Sequence, residues 1–302
     1  VQDLLDFGLE GVGLLGHGAV SVLFDKGRRR LLAPCAGQLG ALAAVSRPMP
    51  TTTQAGHDAA MHATAPVADA LLDLITTGLG PGPAPCVRAI HLPPVPWTGT
   101  KAGEFAAVEL DSGAIGLSYV LLDDTLAALA GLDGARLVGS DALALARLWR
   151  DGQGAERTLG FAAVNALSRH LLDQAGTVPP TATDSIGGLV PTAGERIGMV
   201  GFFPPLVRQI ADTGARLTVV ELRADLAGAH PGFAVTLDPA ALQACPQVLM
   251  TSTLLLNDSL DAMLAHCRGA RAVAMVGPGA GCLPQPLFDR GITALGGTWV
   301  EA

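Results

Sequence analysis

The chain has 302 residues, of which 49% are hydrophobic and 15% charged, and its formal net charge is -8. This length holds two domains with their own cores, and a chain with 38 glycines and 21 prolines at this hydrophobicity is typical of a soluble α/β protein. The acidic balance argues against nucleic acid as a partner, because proteins that bind a phosphate backbone carry basic faces.

No uninterrupted apolar run reaches the roughly 20 residues that a membrane-spanning helix needs, so we expect no membrane partner. The five cysteines are odd in number and show no Cys-x-x-Cys spacing, a pattern typical of free thiols in a reducing compartment. We therefore expect a cytoplasmic protein. Composition leaves a monomer and a homo-oligomer equally open.

The first 65 residues (1–65) mix glycine-rich stretches, a basic run at 28–30 and turn-like sequence at 48–53. We expect poor order here, or an extension unrelated to the domains that follow. His57 and His62 are five residues apart, which is off the helical face that metal-binding pairs use. We interpret them as exposed loop histidines.

A small α+β domain is predicted over residues 66–178. Two apolar runs flank Asp111-Ser112-Gly113, whose glycine supplies the positive φ of a tight hairpin turn. Asp141 has the residue type of a helix N-cap. A hairpin followed by helices is an α+β arrangement. The predicted strands are 104–110 and 114–119, and the predicted helices are 68–75, closed by Gly78, 142–149 and 156–174.

The second domain, residues 179–302, begins with a strand-turn-helix-strand unit from Arg196 to Glu221. Such a unit places Gly201 and Glu221 at the carboxyl ends of neighbouring parallel strands, where open α/β sheets form their ligand crevice. Dinucleotide-binding folds use an acidic residue at the position of Glu221 to hold a ribose hydroxyl. We therefore predict an α/β, Rossmann-like domain.

The glycine fingerprint of dinucleotide-binding folds is replaced by Gly201-Phe202-Phe203-Pro204-Pro205. The two prolines remove backbone donors, and the two phenylalanines add bulk where a pyrophosphate needs a close approach. The pattern argues against ordinary NAD as a cofactor. One phenylalanine is expected in the core, and the other could stack on a planar ligand.

Further strands are predicted at 247–251, 272–276 and 292–295, and each delivers small or polar residues at its carboxyl end. A helix that starts near Asp258 presents free N-H groups, but Asp258 is itself anionic and is expected to occupy that cap. Asn165 lies off the centre of its helix's apolar stripe. Its side chain could equally well face a cleft between the domains or lie on the helix surface. The predicted ligand-binding residues are Gly201, Phe202, Pro204, Pro205, Glu221, Thr251, Asn257, Gly277, Pro278 and Asn165.

Several spaced motifs together resemble the DUF364 family, which is labelled for heavy-metal chelation. They are the Gly-Phe-Phe-Pro-Pro turn, the strand that ends in Glu221, the run 251–258, and Val276-Gly277-Pro278 ahead of the run 283–288. The resemblance implies a Rossmann-like fold, preceded by a DUF4213 domain with an enolase-N-terminal-like fold. It also implies that a metal ion or a metal chelate is among the ligands to consider.

Metal and catalytic candidates are few. Glu221 is a hard ligand and Cys282 a soft one, and two ligands of unlike preference do not make a recognisable metal site. No Gly-x-Ser-x-Gly elbow and no Gly-Lys-Ser or Gly-Lys-Thr phosphate loop occurs in the sequence. Glu221 is the best acid or base candidate, although holding a ligand hydroxyl or amine is its simpler role.

These observations favour a protein that binds a small polar or aromatic molecule, or a metal chelate, in a cleft between the two domains. One alternative is an enzyme, a transferase or lyase, that acts on a nucleotide-like or aromatic cofactor. Another is a binding or scaffold module without turnover. The sequence does not decide between an enzyme and a binding protein.

Overall fold

A computed structural model describes residues 18–25, 65–93 and 104–301, and within the first range it describes the side chain of Phe24 alone. His57 and His62 lie outside the described residues. The described chain forms an eight-stranded sheet and a three-stranded sheet. None of the described helices combines the length and the apolar character needed to cross a membrane.

The elements of the small domain follow strand β1, which joins the large sheet. In chain order they are β1 (Gly18–Asp25), α1 (Val67–Leu79), β2 (Val87–His91), β3 (Phe105–Leu110), β4 (Ile115–Tyr119), α2 (Thr125–Ala130), a 3₁₀ turn (Gly134–Leu137), α3 (Ala142–Asp151) and α4 (Gly154–Gln174). Strands β2, β3 and β4 form an antiparallel sheet in that order.

Local sequence signals account for the hairpin and for the start of α3. Gly113 has a φ of 84°, and Leu110 N donates to Ala114 O at 2.9 Å, which closes the turn between β3 and β4. Asp141 Oδ1 accepts from the N-H groups of Leu143 and Ala144 at 2.7 and 2.9 Å. The cap satisfies two of the donors that a helix start leaves unpaired.

The large domain contains the remaining elements. They are β5 (Arg196–Val200), α5 (Pro204–Ala211), β6 (Arg216–Val220), β7 (Gly228–His230), β8 (Phe233–Thr236), β9 (Gln247–Thr251), α6 (Leu260–Ala265), β10 (Ala272–Val276), α7 (Gln285–Asp289) and β11 (Ala294–Glu301). Short 3₁₀ turns at Ala224–Leu226, Pro239–Ala244 and Ser252–Leu255 complete the domain.

Strand order confirms the Rossmann-like prediction. Strands β8, β6, β5, β9, β10 and β11 lie side by side in that order and are all parallel. When only these six parallel strands are numbered in chain order, this is the 3-2-1-4-5-6 order of dinucleotide-binding folds. The order reverses between β5 and β9, so the topological switch point lies at the carboxyl ends of these two strands.

Two antiparallel strands extend the parallel sheet at its edges, and the sequence did not indicate either of them. Strand β7 pairs with β8. Strand β1 pairs with β11 along its whole length, from Gly18 opposite Glu301 to Asp25 opposite Ala294. Residues 18–25, which the sequence assigns to neither domain, are therefore part of the large sheet.

Helix α4 is the central element of the small domain, and its residues 158–168 are buried without interruption. Two glycines allow this close packing. A side chain at Gly116 of β4 would overlap the backbone of α4 at Ala162 and Ala166, and one at Gly160 would overlap the backbone of α3 at Trp149. The helix is thus in direct backbone contact with the hairpin and with α3.

Polar contacts from α4 tie the small domain to the large one. The Asn165 amide nitrogen donates to Leu117 O at 2.7 Å and to Gly279 O at 2.8 Å, so one side chain joins β4 to the turn after β10. The Ser168 hydroxyl accepts from Leu283 N at 3.2 Å. Asn165 is only 2% exposed, so the sequence alternative of a helix-surface amide is excluded.

Two aromatic residues strengthen the same junction. The Trp149 indole N-H donates to Leu255 O at 2.7 Å in a buried hydrogen bond. The guanidinium of Arg169 lies 3.6 Å from the ring centroid of Trp299 and donates to Val300 O at 2.6 Å. Buried apolar side chains of both domains form one continuous cluster. The interface between the two domains is therefore largely filled core.

We predict that Gly116→Ala destabilises the protein by about 1–3 kcal/mol or more, because the added methyl group overlaps the backbone of α4. Gly269→Ala is the matched control, since a Cβ at Gly269 meets nothing within 4 Å. Urea unfolding monitored by circular dichroism measures both. Equal stability of the two variants would contradict the packing described for α4.

We predict that Asn165→Ala lowers the free energy of unfolding by about 1–3 kcal/mol, because the carbonyls of Leu117 and Gly279 lose a buried donor. Asn165→Asp keeps the side-chain shape but replaces the amide donor with a carboxylate oxygen. We expect it to destabilise at least as much as Asn165→Ala in the same urea titration. A stable Asn165→Asp variant would show that shape, and not hydrogen bonding, is what matters at this position.

Candidate functional site

The turn after β5 lies directly against the end of β9. Gly201 has a φ of 91°, a conformation that favours glycine. A Cβ at this position would be 3.0 Å from Thr251 Cγ2. The predicted ligand residues Gly201 and Thr251 therefore meet at the switch point, where open α/β sheets bind their ligands.

The turn after β10 covers the hydroxyl of Ser252. Gly277 has a φ of 147°, and a side chain there would overlap Ser252 Oγ. A Cβ on Gly279 would be 3.6 Å from the same oxygen and 3.8 Å from Leu117 O. Gly277 thus lets the backbone approach Ser252 more closely than a residue with a side chain would allow, whereas a Cβ at Gly279 would make only an ordinary van der Waals contact.

Ser252 is 6% exposed, and its hydroxyl makes no hydrogen bond with any residue that the structure describes. The sequence pointed to this strand end through Thr251, but the Thr251 hydroxyl is engaged with the Thr253 hydroxyl at 3.0 Å. Ser252 is the residue of the pair that remains available to a ligand.

Strand β4 lies above the carboxyl edge of the large sheet. At one end, Leu117 O shares the Asn165 amide with Gly279 O in the turn after β10. At the other end, Tyr119 lies within electrostatic range of Glu221, which follows β6. Strand β4 therefore lies against the turn after β10, and its last residue is within electrostatic range of the residue that follows β6. We call the region between β4 and the carboxyl ends of the parallel strands the crevice.

Tyr119 is the only tyrosine of the chain, and sequence reasoning missed it. Its ring packs edge-on against Phe105, with the centroids 5.7 Å apart. Burial raises the pKa of the Tyr119 phenol above its usual 10, and the carboxylates of Glu104 and Glu221 raise it further. The phenol is therefore a proton-bearing donor at neutral pH. The sequence did contain a signal for this residue, since the single tyrosine of the chain lies at the end of a predicted hairpin strand.

Glu221 lies where the sequence predicted it, directly after β6. One carboxylate oxygen accepts from Leu222 N at 2.7 Å and from Arg223 N at 3.4 Å, and its own N-H donates to Thr236 O at 3.0 Å. These bonds fix the residue to its turn. The second carboxylate oxygen makes no hydrogen bond within the described residues, so it is available to a ligand.

The Phe-Phe-Pro-Pro turn offers no phosphate cradle. Pro204 and Pro205 form the first turn of α5 and have no N-H groups to donate. Phe202 stacks on Phe233 with centroids 6.0 Å apart, and Phe203 packs against the same apolar cluster as Phe202. Both rings are thus engaged within the protein.

Asn257 is exposed and belongs to a local turn. Its Oδ1 accepts from Ser259 N at 3.2 Å and from the Ser259 hydroxyl at 2.5 Å. The expectation that Asp258 caps the next helix is wrong: α6 begins at Leu260 with Ser259 as its N-cap residue, and Asp258 forms an ion pair with Arg157. Helix α6 has six residues, too few to make its N-terminus an anion site.

The described residues do not fit a resident metal ion. They include no group of three or more His, Cys, Asp or Glu side chains that could hold one. Cys282 is fully buried, and burial raises the pKa of its thiol to about 12, whereas a thiolate is the form that binds metal. Glu221 is left as a single hard ligand, far short of the four ligands of a closed zinc site.

A narrow cavity of about 10 Å³ lies behind the crevice, lined by Asn165, Pro278, Gly281 and Thr298 among others. Asn165 Oδ1 is buried there without a hydrogen-bond partner among the described residues. A cavity of this size holds one water molecule at most. Asn165 and Pro278 therefore line a cavity that is too small for a ligand.

Comparison with known proteins agrees with this architecture. The family model DUF364, described as "Putative heavy-metal chelation", matches residues 188–302, and the model DUF4213, with the same description, matches residues 102–168. No protein of curated function matches the chain.

Two solved structures of DUF364-family proteins match the chain, and the first of them is similar in fold. The protein of unknown function from Desulfitobacterium hafniense DCB-2 is 20% identical, with 75% of this chain and 82% of that chain covered at a TM-score of 0.53. The one from Pyrococcus horikoshii is 21% identical, with 61% and 70% covered at a TM-score of 0.44. The DUF4213 match thus precedes the DUF364 match along the chain, in the order that the motifs predicted.

Proposed function

We propose that the chain binds a small polar molecule in the crevice between β4 and the carboxyl edge of the large sheet. One observation carries the proposal. The hydroxyls of Ser252 and Tyr119, which come from different domains, both lack a hydrogen-bond partner in the described part of the chain. They lie along the edge at which open α/β sheets bind ligands.

The position of Ser252 supports a ligand contact. Its hydroxyl lies beneath the turn after β10, where a Cβ at Gly277 would overlap Ser252 Oγ. A hydroxyl both donates and accepts hydrogen bonds, so a polar ligand atom that reaches this oxygen would bond to it.

The crevice also limits the class of ligand. The prolines that start α5 leave it without the donors that a pyrophosphate needs, which argues against an ordinary dinucleotide. The described residues offer no resident metal site. The heavy metal named by the family description would then reach this protein as a chelate, with the organic portion in contact with the crevice.

An enzyme acting on the same molecule, a transferase or lyase, is the second candidate. Tyr119 is a protonated phenol and Glu221 a carboxylate with one unbonded oxygen, and they lie within electrostatic range of each other. A donor and an acceptor on two sides of one ligand is the arrangement that general acid-base catalysis uses. Tyr119 and Glu221 are the residues that would carry such a reaction.

We predict that native mass spectrometry of gently purified protein finds one small organic molecule per chain. Ser252→Ala should lower its occupancy by about twofold to tenfold, the value of one hydrogen bond, without lowering the melting temperature. Ser185→Ala, which removes an exposed hydroxyl bonded to Gln209, is the control. Elemental analysis of the same samples tests for a metal that enters with the molecule.

A clean apo mass, together with no thermal shift in a screen of small polar molecules and metal chelates, would contradict the proposal. Unchanged occupancy in Ser252→Ala would remove Ser252 from the site. A metal at unit stoichiometry without an organic molecule would contradict the proposal that the metal reaches the protein as a chelate.

We predict that Glu221→Gln loses ligand binding together with any turnover, since the carboxylate holds the ligand. Calorimetry with the molecule identified by mass spectrometry measures the binding, and incubation of that molecule with each variant measures its conversion. Retained binding with lost conversion would instead identify Glu221 as an acid-base residue of an enzyme.

A further inference from the structure

We propose that one buried water molecule is a fixed part of the junction between the two domains, bound to Asn165 Oδ1 in the narrow cavity beside α4. This site is separate from the crevice and does not depend on the proposed function. Its basis is a buried hydrogen-bond acceptor that borders a cavity of the size of one water molecule.

The orientation of the Asn165 amide is fixed by its partners. Its nitrogen donates to Leu117 O at 2.7 Å and to Gly279 O at 2.8 Å. A flipped amide would place its oxygen against these two carbonyl oxygens, which have no hydrogen to donate. The second polar atom of the side chain is therefore the oxygen, and it can only accept a hydrogen bond.

Asn165 Oδ1 needs a donor. The atom is buried and has no hydrogen-bond partner among the described residues, and the residue is 2% exposed. Buried polar atoms are paired in the large majority of cases, either with the protein or with ordered water. The occupant of this site must therefore present an N-H or O-H group to Asn165 Oδ1.

The cavity beside Asn165 is large enough for water and for little else. Its volume of about 10 Å³ is close to the smallest that holds one water molecule. An organic group or a hydrated ion is larger than this space. The volume of the cavity and the unpaired acceptor are separate observations, and both indicate a water molecule.

A buried water molecule needs a second polar partner, and Arg169 can supply it. Arg169 follows Asn165 by one turn of α4 and lines the same cavity. Its guanidinium donates to Asp173 through Nε at 2.8 Å and to Val300 O through Nη1 at 2.6 Å. A guanidinium has more N-H groups than these bonds use. The water can therefore accept from Arg169 and donate to Asn165 Oδ1.

Gly281 offers a way to displace the water. It lines the cavity, and a Cβ at this position would be 3.7 Å from Asn165 Cβ and 3.9 Å from Asn165 Oδ1. These are ordinary van der Waals distances, and the φ of Gly281 is not in the left-handed region. The methyl group of Gly281→Ala therefore fits without strain, and it takes the place of the water without supplying a donor.

The test compares the wild-type chain with Gly281→Ala and with the control Gly269→Ala, where a Cβ meets nothing within 4 Å. We expect a lower urea midpoint for Gly281→Ala than for Gly269→Ala, because Asn165 Oδ1 loses its donor. Oxygen-17 magnetic relaxation dispersion counts the water molecules that stay bound for longer than the protein takes to tumble. We expect one fewer in Gly281→Ala than in the wild type, and no change in Gly269→Ala.

An unchanged number of long-lived waters in a folded Gly281→Ala variant would overturn the inference. So would a urea midpoint above that of Gly269→Ala, since a methyl group that fills an empty cavity adds packing contacts. If Gly281→Ala does not fold, the wild-type chain decides alone. Magnetisation transfer in NMR from water to the side-chain amide hydrogens of Asn165 is then expected, and a spectrum without it would overturn the inference.

Discussion

The amide of Asn165 is the contact on which the arrangement of the crevice depends. Its two donors bond to Leu117 O in the small domain and to Gly279 O in the large one. This single side chain joins β4 to the turn after β10. Both bonds are buried, so breaking either one leaves a carbonyl that water cannot readily reach. The contact between β4 and this turn is therefore part of the packed core.

The sequence predicted the elements whose formation depends on residues that are close together along the chain. The hairpin around Gly113, the cap at Asp141 and the β5-α5-β6 unit all follow from turn and capping chemistry within a few positions. Strands β1, β7 and β8 were missed. Strand β8 has four residues and β7 three, too few to show a period, and β1 depends on pairing with the far end of the chain.

The site was predicted only in part, for a related reason. Strand ends and turn glycines are visible in sequence, so Gly201, Glu221, Thr251 and Gly277 could be named. The contribution of the small domain was not visible, because it depends on where β4 lies against the large domain. Tyr119 therefore went unnoticed. Asn165 could not be placed on the surface or in the core, because nearly the whole circumference of α4 is buried and its apolar stripe carries little information.

The pairing of β1 with β11 has a consequence for how the protein is made. Residues 18–25 and 294–301 are separated by nearly the whole chain, yet each is the other's antiparallel partner. Contacts between residues so distant in sequence are slow to form, and domains tend to fold as the chain leaves the ribosome. During synthesis β1 must wait as an unpaired strand until β11 has emerged. Completion of the eight-stranded sheet therefore has to wait until β11 has been synthesised.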